Sequence, residues 1–189
     1  MSKSPVSSHQ FPETGNPKQE TENPMRQITI EKVTANIGIG ASGDRLDNAK
    51  ELLSKLTGAK VVLTKAKKRN PTFKLRPGLE IGVKTTLRGA RAFEFLEKSL
   101  AARKKTLHAG NFDHRGNFSF GVHEYIDFPG AKYDPKIGMM GFDVCVTLRR
   151  RGKRVGERRL KRSKVGRHHL VSKEEGIGFA RAALGVKVE

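Results

Sequence analysis

The sequence is poor in several residue types on which particular functions depend. It contains no tryptophan and one cysteine, Cys145, which excludes an internal disulfide and any cysteine-rich metal cluster. No apolar stretch approaches the roughly 18 residues that a membrane span requires, and the N-terminus lacks the apolar segment of a secretory signal. We therefore expect a cytoplasmic protein without a membrane partner.

Acidic residues are scarce compared with basic ones. The 189 residues include 38 Lys and Arg but 19 Asp and Glu, which gives a formal net charge of +19 and a pI near 10.4. Such an excess disfavours a free metabolic enzyme and favours a polyanionic partner. A hydrophobic content of 35% is enough to form a core and too high for a wholly disordered basic tail.

The chain divides into a polar arm and one folded domain. Residues 1–24 contain four prolines and few apolar residues, a composition typical of a disordered arm. Between residues 25 and 189, several segments alternate apolar and polar residues, which favours antiparallel strands over the doubly buried strands of a parallel sheet. We predict a single α+β domain over 25–189, with about five antiparallel strands, helices packed on one face and an open face on the other.

Two of the predicted strands carry specific expectations. Ile28 and Ile30 alternate, and Val33 begins a second alternating run of opposite parity, which indicates a bulge near Glu31–Lys32. Cys145 lies in the middle of a later strand and is expected in the core.

Three helices are expected. Asp44 would cap a helix that ends near Thr57, and a capping box formed by Ser172–Glu175 would begin the last helix. Residues 89–105 form the second helix, whose buried stripe is predicted to be Phe93, Leu96 and Leu100.

Two segments hold most of the excess positive charge. Residues 65–76 have six basic residues and no acid, and residues 149–169 have eleven basic residues and one acid. Each Lys or Arg side chain that meets a phosphate releases condensed counterions, so such clusters are typical of salt-dependent binding to nucleic acid. The candidate contacts in the second segment are Arg149, Arg150, Arg151, Lys153, Arg154, Arg158, Arg159, Lys161, Arg162, Lys164 and Arg167.

Uncharged side chains add candidates for RNA contact. Phe73 lies within the first basic segment, where its ring could stack on an unpaired base or could instead fix the loop to the core; both interpretations stay open. Asn36, Lys84 and Thr86 project from the predicted polar strand faces and suit hydrogen bonds to ribose and base edges. Arg88 lies on the same side of its strand as Thr86.

The run Gly38–Gly43 matches the G-x-G-x-x-G pattern between a strand and a helix, the local context of a dinucleotide site. The acid expected after the next strand is missing, and the rest of the chain does not repeat strand–helix units. A tight turn, or close approach of a nucleic-acid backbone, is the favoured interpretation. The six histidines do not have metal-ligand spacing, so we expect no cofactor and no metal.

Dispersed motifs resemble a known family. Six segments are similar, in order, to the universal large-subunit ribosomal protein "five" family, called "eleven" in eukaryotes: Asn36–Gly40, Leu63–Lys67, Phe73–Arg76, Thr85–Gly89, Gly116–Gly121 and Tyr133–Pro135. Ser42–Leu46 and His168–Glu175 resemble the archaeal–eukaryal branch of that family. The resemblance runs from about Asn23 to Val188.

This resemblance implies a non-enzymatic component of the large ribosomal subunit that binds 5S rRNA and helps to anchor it in the central protuberance. It implies RNA contacts at Asn36, Phe73, Arg76 and Thr86. The basic loop that contains Lys65, Lys67, Lys68 and Arg69 would reach the P-site tRNA and an intersubunit bridge to a protein of the small-subunit head. Large-subunit rRNA, as the target of residues 149–169, and neighbouring large-subunit proteins complete the expected partners.

Two other functions remain as alternatives. The charge excess also fits a general nucleic-acid-binding protein, and the glycine run would suit a nucleotide-binding enzyme. Equal affinity for 5S rRNA and duplex DNA would favour the first alternative, and saturable binding of NAD would favour the second.

Overall fold

The computed structural model describes residues 23–40 and 43–189, and its central element is a five-stranded antiparallel sheet. The strands in chain order are β1 (Ile28–Gly38), β2 (Val62–Lys65), β3 (Glu80–Leu87), β4 (Thr106–Leu107), β5 (Phe118–Val122), β6 (Phe142–Arg150) and β7 (Lys187–Val188). The sheet has the order β2-β3-β1-β6-β5, and each neighbouring pair is antiparallel. The predicted α+β class is confirmed, whereas most of the expected disordered arm lies outside the described residues.

Strands β4 and β7 form a second, parallel pair that the sequence did not predict. Each has two residues, which is too short to carry an alternating pattern. The pair holds the end of the chain against the segment that follows the second helix.

The three predicted helices are present as α1 (Asp44–Thr57), α2 (Ala90–Ala102) and α3 (Lys173–Leu184). The prediction that Asp44 caps α1 is wrong, because Gly43 occupies that position with a φ of 127°, which favours glycine. The capping box of α3 is confirmed: the Glu175 amide donates to the Ser172 hydroxyl oxygen, and the Ser172 amide donates to the Glu175 carboxylate.

The core lies between the helices and one face of the sheet. Val33, Ala35 and Ile37 of β1 are at most 3% exposed, and they pack in one cluster with buried residues of α1 and α2. The predicted bulge is confirmed, because the register between β1 and β6 shifts between Ile30 and Lys32. This shift leaves the Glu31 side chain buried.

Two burial predictions are wrong. Phe93 is exposed, because α2 buries Phe95 together with the predicted Leu96 and Leu100. The Phe95 ring centroid lies 5.3 Å from that of Phe128. This aromatic contact between residues distant in the sequence determines which side of α2 faces the core. Cys145 is also exposed, since its strand neighbours Val144 and Val146 face the core and a strand alternates its sides.

A close backbone contact docks α3 against the loop that precedes β5. A Cβ atom on Gly176 would lie 2.5 Å from the Gly116 carbonyl oxygen, which is closer than real Cβ atoms approach. Gly116 has a positive φ of 69°, and a Cβ there would lie 2.7 Å from the Ser172 carbonyl oxygen. Glycine at both positions lets the helix reach the sheet and brings its N-terminus close to the end of β6.

Candidate nucleic-acid interface

Polar side chains form rows across the sheet face opposite the core. In one row, Asn36 of β1 pairs with Lys84 of β3 on one side and with Asp143 of β6 on the other. In the next row, Thr34 of β1 pairs with Thr86 of β3. Side chains of paired residues on one face lie about 5 Å apart at their Cβ atoms. The sheet therefore brings together Asn36, Lys84 and Thr86, which the sequence predicted one by one.

The polar face continues onto β6 and β5 with small side chains. Thr34 pairs with Cys145, and Cys145 pairs with Ser119 of β5. Cys145 and Ser119 are exposed. Partial burial, and then the nearby Asp143 carboxylate, raise the pKa of the Cys145 thiol. Short side chains of this kind leave room for a ligand backbone to approach the sheet.

Besides Asp143 and Cys145, sequence reasoning missed Thr34, Ser119 and Thr147 on this face. All three follow the same parity rule that identified Asn36, Lys84 and Thr86, because each neighbours a core residue of its strand. The alternation of apolar and polar residues in β1, β5 and β6 would therefore have predicted these three positions.

The first basic segment forms a hairpin that continues the β2–β3 pair. Amide and carbonyl groups of Asn70 and Leu75 exchange two hydrogen bonds, of 3.1 and 2.9 Å, near its end. Phe73 lies in the terminal turn and is 68% exposed, so the interpretation that it fixes the loop to the core is wrong. Lys67, Lys68, Arg69 and Arg76 are exposed on the same hairpin, and Lys65 is 3.8 Å from Glu80 at its base.

Because the hairpin continues past the ends of β2 and β3, the predicted contacts fall into two groups. Phe73 and Arg76 lie on the hairpin, whereas Asn36 and Thr86 lie on the middle of the sheet. The structure does not bring these two groups into contact.

The second basic segment is anchored to the domain by a buried ion pair. Lys153 Nζ lies 2.7 Å from Glu31 Oε2, at the bulge of β1. Burial raises the pKa of the Glu31 carboxyl, but the hydrogen bond and charge of Lys153, with the charges of Lys32 and Arg149, together lower it below the ordinary value. The carboxylate therefore stays charged and holds the segment against the sheet.

A second anchor joins the end of β6 to α3. The Arg150 guanidinium donates to the Glu175 carboxylate and, over 3.1 Å, to the His168 carbonyl oxygen. His169 Nε2 is 2.7 Å from the Arg151 carbonyl oxygen. Arg150 and Lys153 are thus engaged within the protein, which distinguishes them from the exposed cations of the same segment.

The anchored segment and the ends of the central strands β1, β3 and β6 line a basic cleft of about 600 Å³. Its lining includes Arg88 of the loop after β3 and Arg149 of β6, which come from the two strands that flank β1. The other cations that line the cleft are Arg150, Arg151, Lys153, Arg154 and Arg158, beside a single acid, Glu157. The predicted contact Arg88 therefore lies with the second basic segment, and the cleft suits a polyanion.

The glycine run does not form a phosphate cradle in its described part. The amides of Ile39 and Gly40 both donate to the Ile81 carbonyl oxygen, at 3.0 and 2.9 Å. The antiparallel sheet also differs from the parallel sheet of dinucleotide-binding domains. Ala41 and Ser42 of the run lie outside the described residues.

Two other kinds of feature are absent from residues 23–40 and 43–189. This part of the chain holds no group of three or more His, Cys, Asp or Glu placed to bind a metal ion. None of its helices has the length and apolar character needed to cross a membrane.

Comparison with known proteins gave matches along most of the chain. Residues 23–76 match the family model of ribosomal protein L5, and residues 80–179 match the model of the ribosomal L5P family C-terminus. The large ribosomal subunit protein uL5 of Nanoarchaeum equitans is 55% identical over 168 residues, which cover 88% of this chain and 99% of that protein. The uL5 proteins of Methanococcus aeolicus and Methanococcus vannielii are 49% and 50% identical, over 88% and 87% of this chain and 93% of each relative.

Proposed function

The chain belongs to the ribosomal L5P family, in its archaeal type, and is a structural, non-enzymatic constituent of the large ribosomal subunit; from this premise we propose that it binds 5S rRNA through the polar face of its sheet. As a ribosomal protein it works in the cytoplasmic ribosome, with rRNA and neighbouring ribosomal proteins as partners. The proposal extends this role to anchoring 5S rRNA in the central protuberance.

The adjacency of Asn36, Lys84 and Thr86 on one face of the sheet carries the proposal; Lys84 and Thr86 are exposed, and Asn36 is half-buried. An amide, an ammonium and a hydroxyl within one patch offer donors for ribose and phosphate oxygens and for base edges. The exposed Lys84 and Thr86 offer their donors to an RNA strand without rearrangement. The basic cleft at the ends of the central strands of the same sheet supplies the charge that holds the phosphates.

The experiment for 5S binding replaces two uncharged members of the patch. Asn36→Ala with Thr86→Ala removes hydrogen-bonding groups but no charge, so the affinity for 5S rRNA should fall about 10-fold or more, as expected for two lost hydrogen bonds of about 1 kcal/mol each. Ser54→Ala is the matched control, because Ser54 is exposed on α1, an element that packs on the core side of the sheet.

Filter binding at fixed salt, with circular dichroism to verify folding, measures the effect. Unchanged 5S affinity of the folded double variant would contradict the assigned interface. Equal affinity of the wild-type protein for 5S rRNA and duplex DNA would instead favour the general nucleic-acid-binding alternative.

We further propose that the hairpin of residues 65–76 contacts the P-site tRNA and a protein of the small-subunit head. The exposed Lys67, Lys68 and Arg69, and the exposed Phe73 ring at the turn, support a contact made away from the sheet face. A hairpin that continues past the ends of β2 and β3 can reach a partner that the sheet face does not touch.

Charge reversal separates this contact from 5S binding. Lys67→Glu with Lys68→Glu should slow translation by reconstituted ribosomes more than it weakens 5S binding. The control, Lys50→Glu with Lys98→Glu, makes the same change in net charge at exposed positions of α1 and α2. A collapse of 5S affinity in the hairpin variant alone would show that the division between hairpin and sheet is wrong.

A further inference from the structure

Leu160 is the most exposed large hydrophobic side chain in the described part of the chain, at 77% of its full accessibility. It lies in the second basic segment, between exposed Arg158 and Arg159 on one side and exposed Lys161 and Arg162 on the other. A leucine with this exposure adds little to the core, and its place between four exposed cations makes it available to a ligand outside the protein.

The loop that carries Leu160 is held in one shape by its own arginines. Arg158 Nε donates to the Lys161 carbonyl oxygen over 2.8 Å, and Arg162 Nε donates to the Gly156 carbonyl oxygen over 2.7 Å. Each bond uses one of the five N–H donors of a guanidinium, which leaves the others for a ligand. These bonds fix the backbone on both sides of Leu160.

Backbone geometry at the tip agrees with a fixed shape. Lys161 has a φ of 51°, in the left-handed region that side-chain-bearing residues rarely adopt. The Ser163 amide donates to the Val155 carbonyl oxygen over 3.1 Å and closes the base of the loop. Strain that is retained in this way is characteristic of a tip organised for contact.

The tip also has a fixed place on the domain. Lys153, a few residues before the tip, is paired with the buried Glu31, and Arg158 lines the cleft that Arg88 and Arg149 also line. The tip therefore extends from the edge of the same surface on which the proposed function depends.

The charge around Leu160 favours RNA over a protein as its partner. Four cationic side chains flank Leu160 in the sequence, and one acid, Glu157, lies next to them. An apolar pocket on a protein would need to be surrounded by carboxylates to accept this tip. An RNA strand presents an apolar base between phosphates, and that arrangement matches a leucine between cations.

We propose that Leu160 packs against an rRNA base that is not covered by a stacked neighbour, while Arg159 and Lys161 contact the phosphates on either side. The inference rests on the proposed function, since it takes rRNA to be the ligand of this surface. It adds an apolar contact to a segment whose predicted role is electrostatic.

The test compares three substitutions at residue 160 in the full chain. The probes are 5S rRNA and protein-free large-subunit rRNA from an archaeal ribosome, each titrated at several salt concentrations. Leu160→Ala should weaken binding to one of these RNAs about 10-fold, which corresponds to about 1.4 kcal/mol. Leu160→Met should retain most of the affinity, because it keeps the apolar volume.

The salt dependence distinguishes a base contact from a phosphate contact. Leu160→Ala should leave the slope of log affinity against log salt unchanged, whereas the comparison variant Arg159→Ala should reduce that slope by about 1. Leu160→Lys is decisive, because an added charge strengthens a purely electrostatic contact and abolishes an apolar one. We expect Leu160→Lys to bind more weakly than the wild-type protein.

Three results would overturn the inference. In the first, Leu160→Ala matches the wild-type protein on both RNAs and stays bound to large subunits at the same salt. In the second, it matches the wild-type protein on both RNAs but dissociates from large subunits at lower salt, which would assign Leu160 to a neighbouring protein. In the third, Leu160→Lys binds more tightly with a steeper salt slope. Failure of the wild-type protein to prefer 5S rRNA over duplex DNA would instead remove the proposed function.

Discussion

Replacing Lys153 by methionine should destabilise the protein by leaving a buried carboxylate without its partner. Glu31 Oε2 lies 2.7 Å from Lys153 Nζ, and the Glu31 side chain is 6% exposed, whereas that of Lys153 is 33% exposed. Loss of one partner from a buried ion pair costs about 3–5 kcal/mol, and solvent access at the Lys153 end reduces this to about 2–3 kcal/mol. For a protein of this size, the Tm should fall by about 5–10 °C.

Two further variants identify the cause of the loss. Glu31→Gln should cost about 1 kcal/mol, because its amide oxygen still accepts a hydrogen bond from Lys153 and no charge is left buried. Glu31→Leu combined with Lys153→Met should recover most of the stability that Lys153→Met loses, since a buried ion pair can be replaced by apolar side chains at little cost. Urea denaturation followed by circular dichroism gives the free energy of unfolding of each variant.

The pH dependence provides an independent check of the same pair. The pKa of Glu31 is lower in the folded protein than in the unfolded chain, so the pair contributes its full stability at neutral pH. That contribution is lost as the pH falls below about 4.5 and through the lowered folded pKa. The difference between wild-type protein and Lys153→Met should therefore shrink on acidification. A cost below about 0.5 kcal/mol at pH 7, or an equal cost at pH 7 and pH 3, would refute the reasoning.

Three other predictions concern docking, capping and the polar face. Gly176→Ala should lower the unfolding free energy by about 1–3 kcal/mol, measured in urea, because the added methyl group meets the Gly116 carbonyl oxygen; a neutral effect would disprove the close contact. Ser172→Ala removes the side-chain acceptor for the Glu175 amide and should lower the free energy of unfolding by about 1 kcal/mol in the same assay. An unchanged free energy of unfolding would show that the capping box does not form in solution. Alkylation of the single cysteine, Cys145, should be slow at neutral pH, because partial burial and then the nearby Asp143 carboxylate raise the thiol pKa. Bound 5S rRNA should slow the alkylation further, and equal rates with and without RNA would argue against the proposed RNA-binding face.

Much of the polar sheet face was predictable because it depends on alternation within single strands. Polar residues at every second position of β1 and β3 placed Asn36, Lys84 and Thr86 away from the core, and the phase change after Ile30 located the bulge. The same rule applied to β6 would have placed Cys145 on the polar face, so that error came from treating cysteine as a core residue without using its parity.

The orientation of α2 was not predictable to the same degree. Phe93 and Phe95 are both aromatic, and each forms a plausible stripe with Leu96 and Leu100. The packing of Phe95 against Phe128 and Phe142 decided between them, and those residues are more than 30 positions away in the sequence.

The sequence by itself determined the antiparallel α+β architecture, the polarity of each sheet face and the location of the two basic segments. These properties follow from residue periodicity and from charge, which act along short stretches of chain. Only the tertiary structure decided which cations are paired within the protein and which are available to a ligand. Arg150 and Lys153 pair with Glu175 and Glu31, and Arg88 joins the second basic segment in one cleft. Such pairings join residues 25 to 122 positions apart, so they depend on how the sheet, the bulge and α3 come together in space.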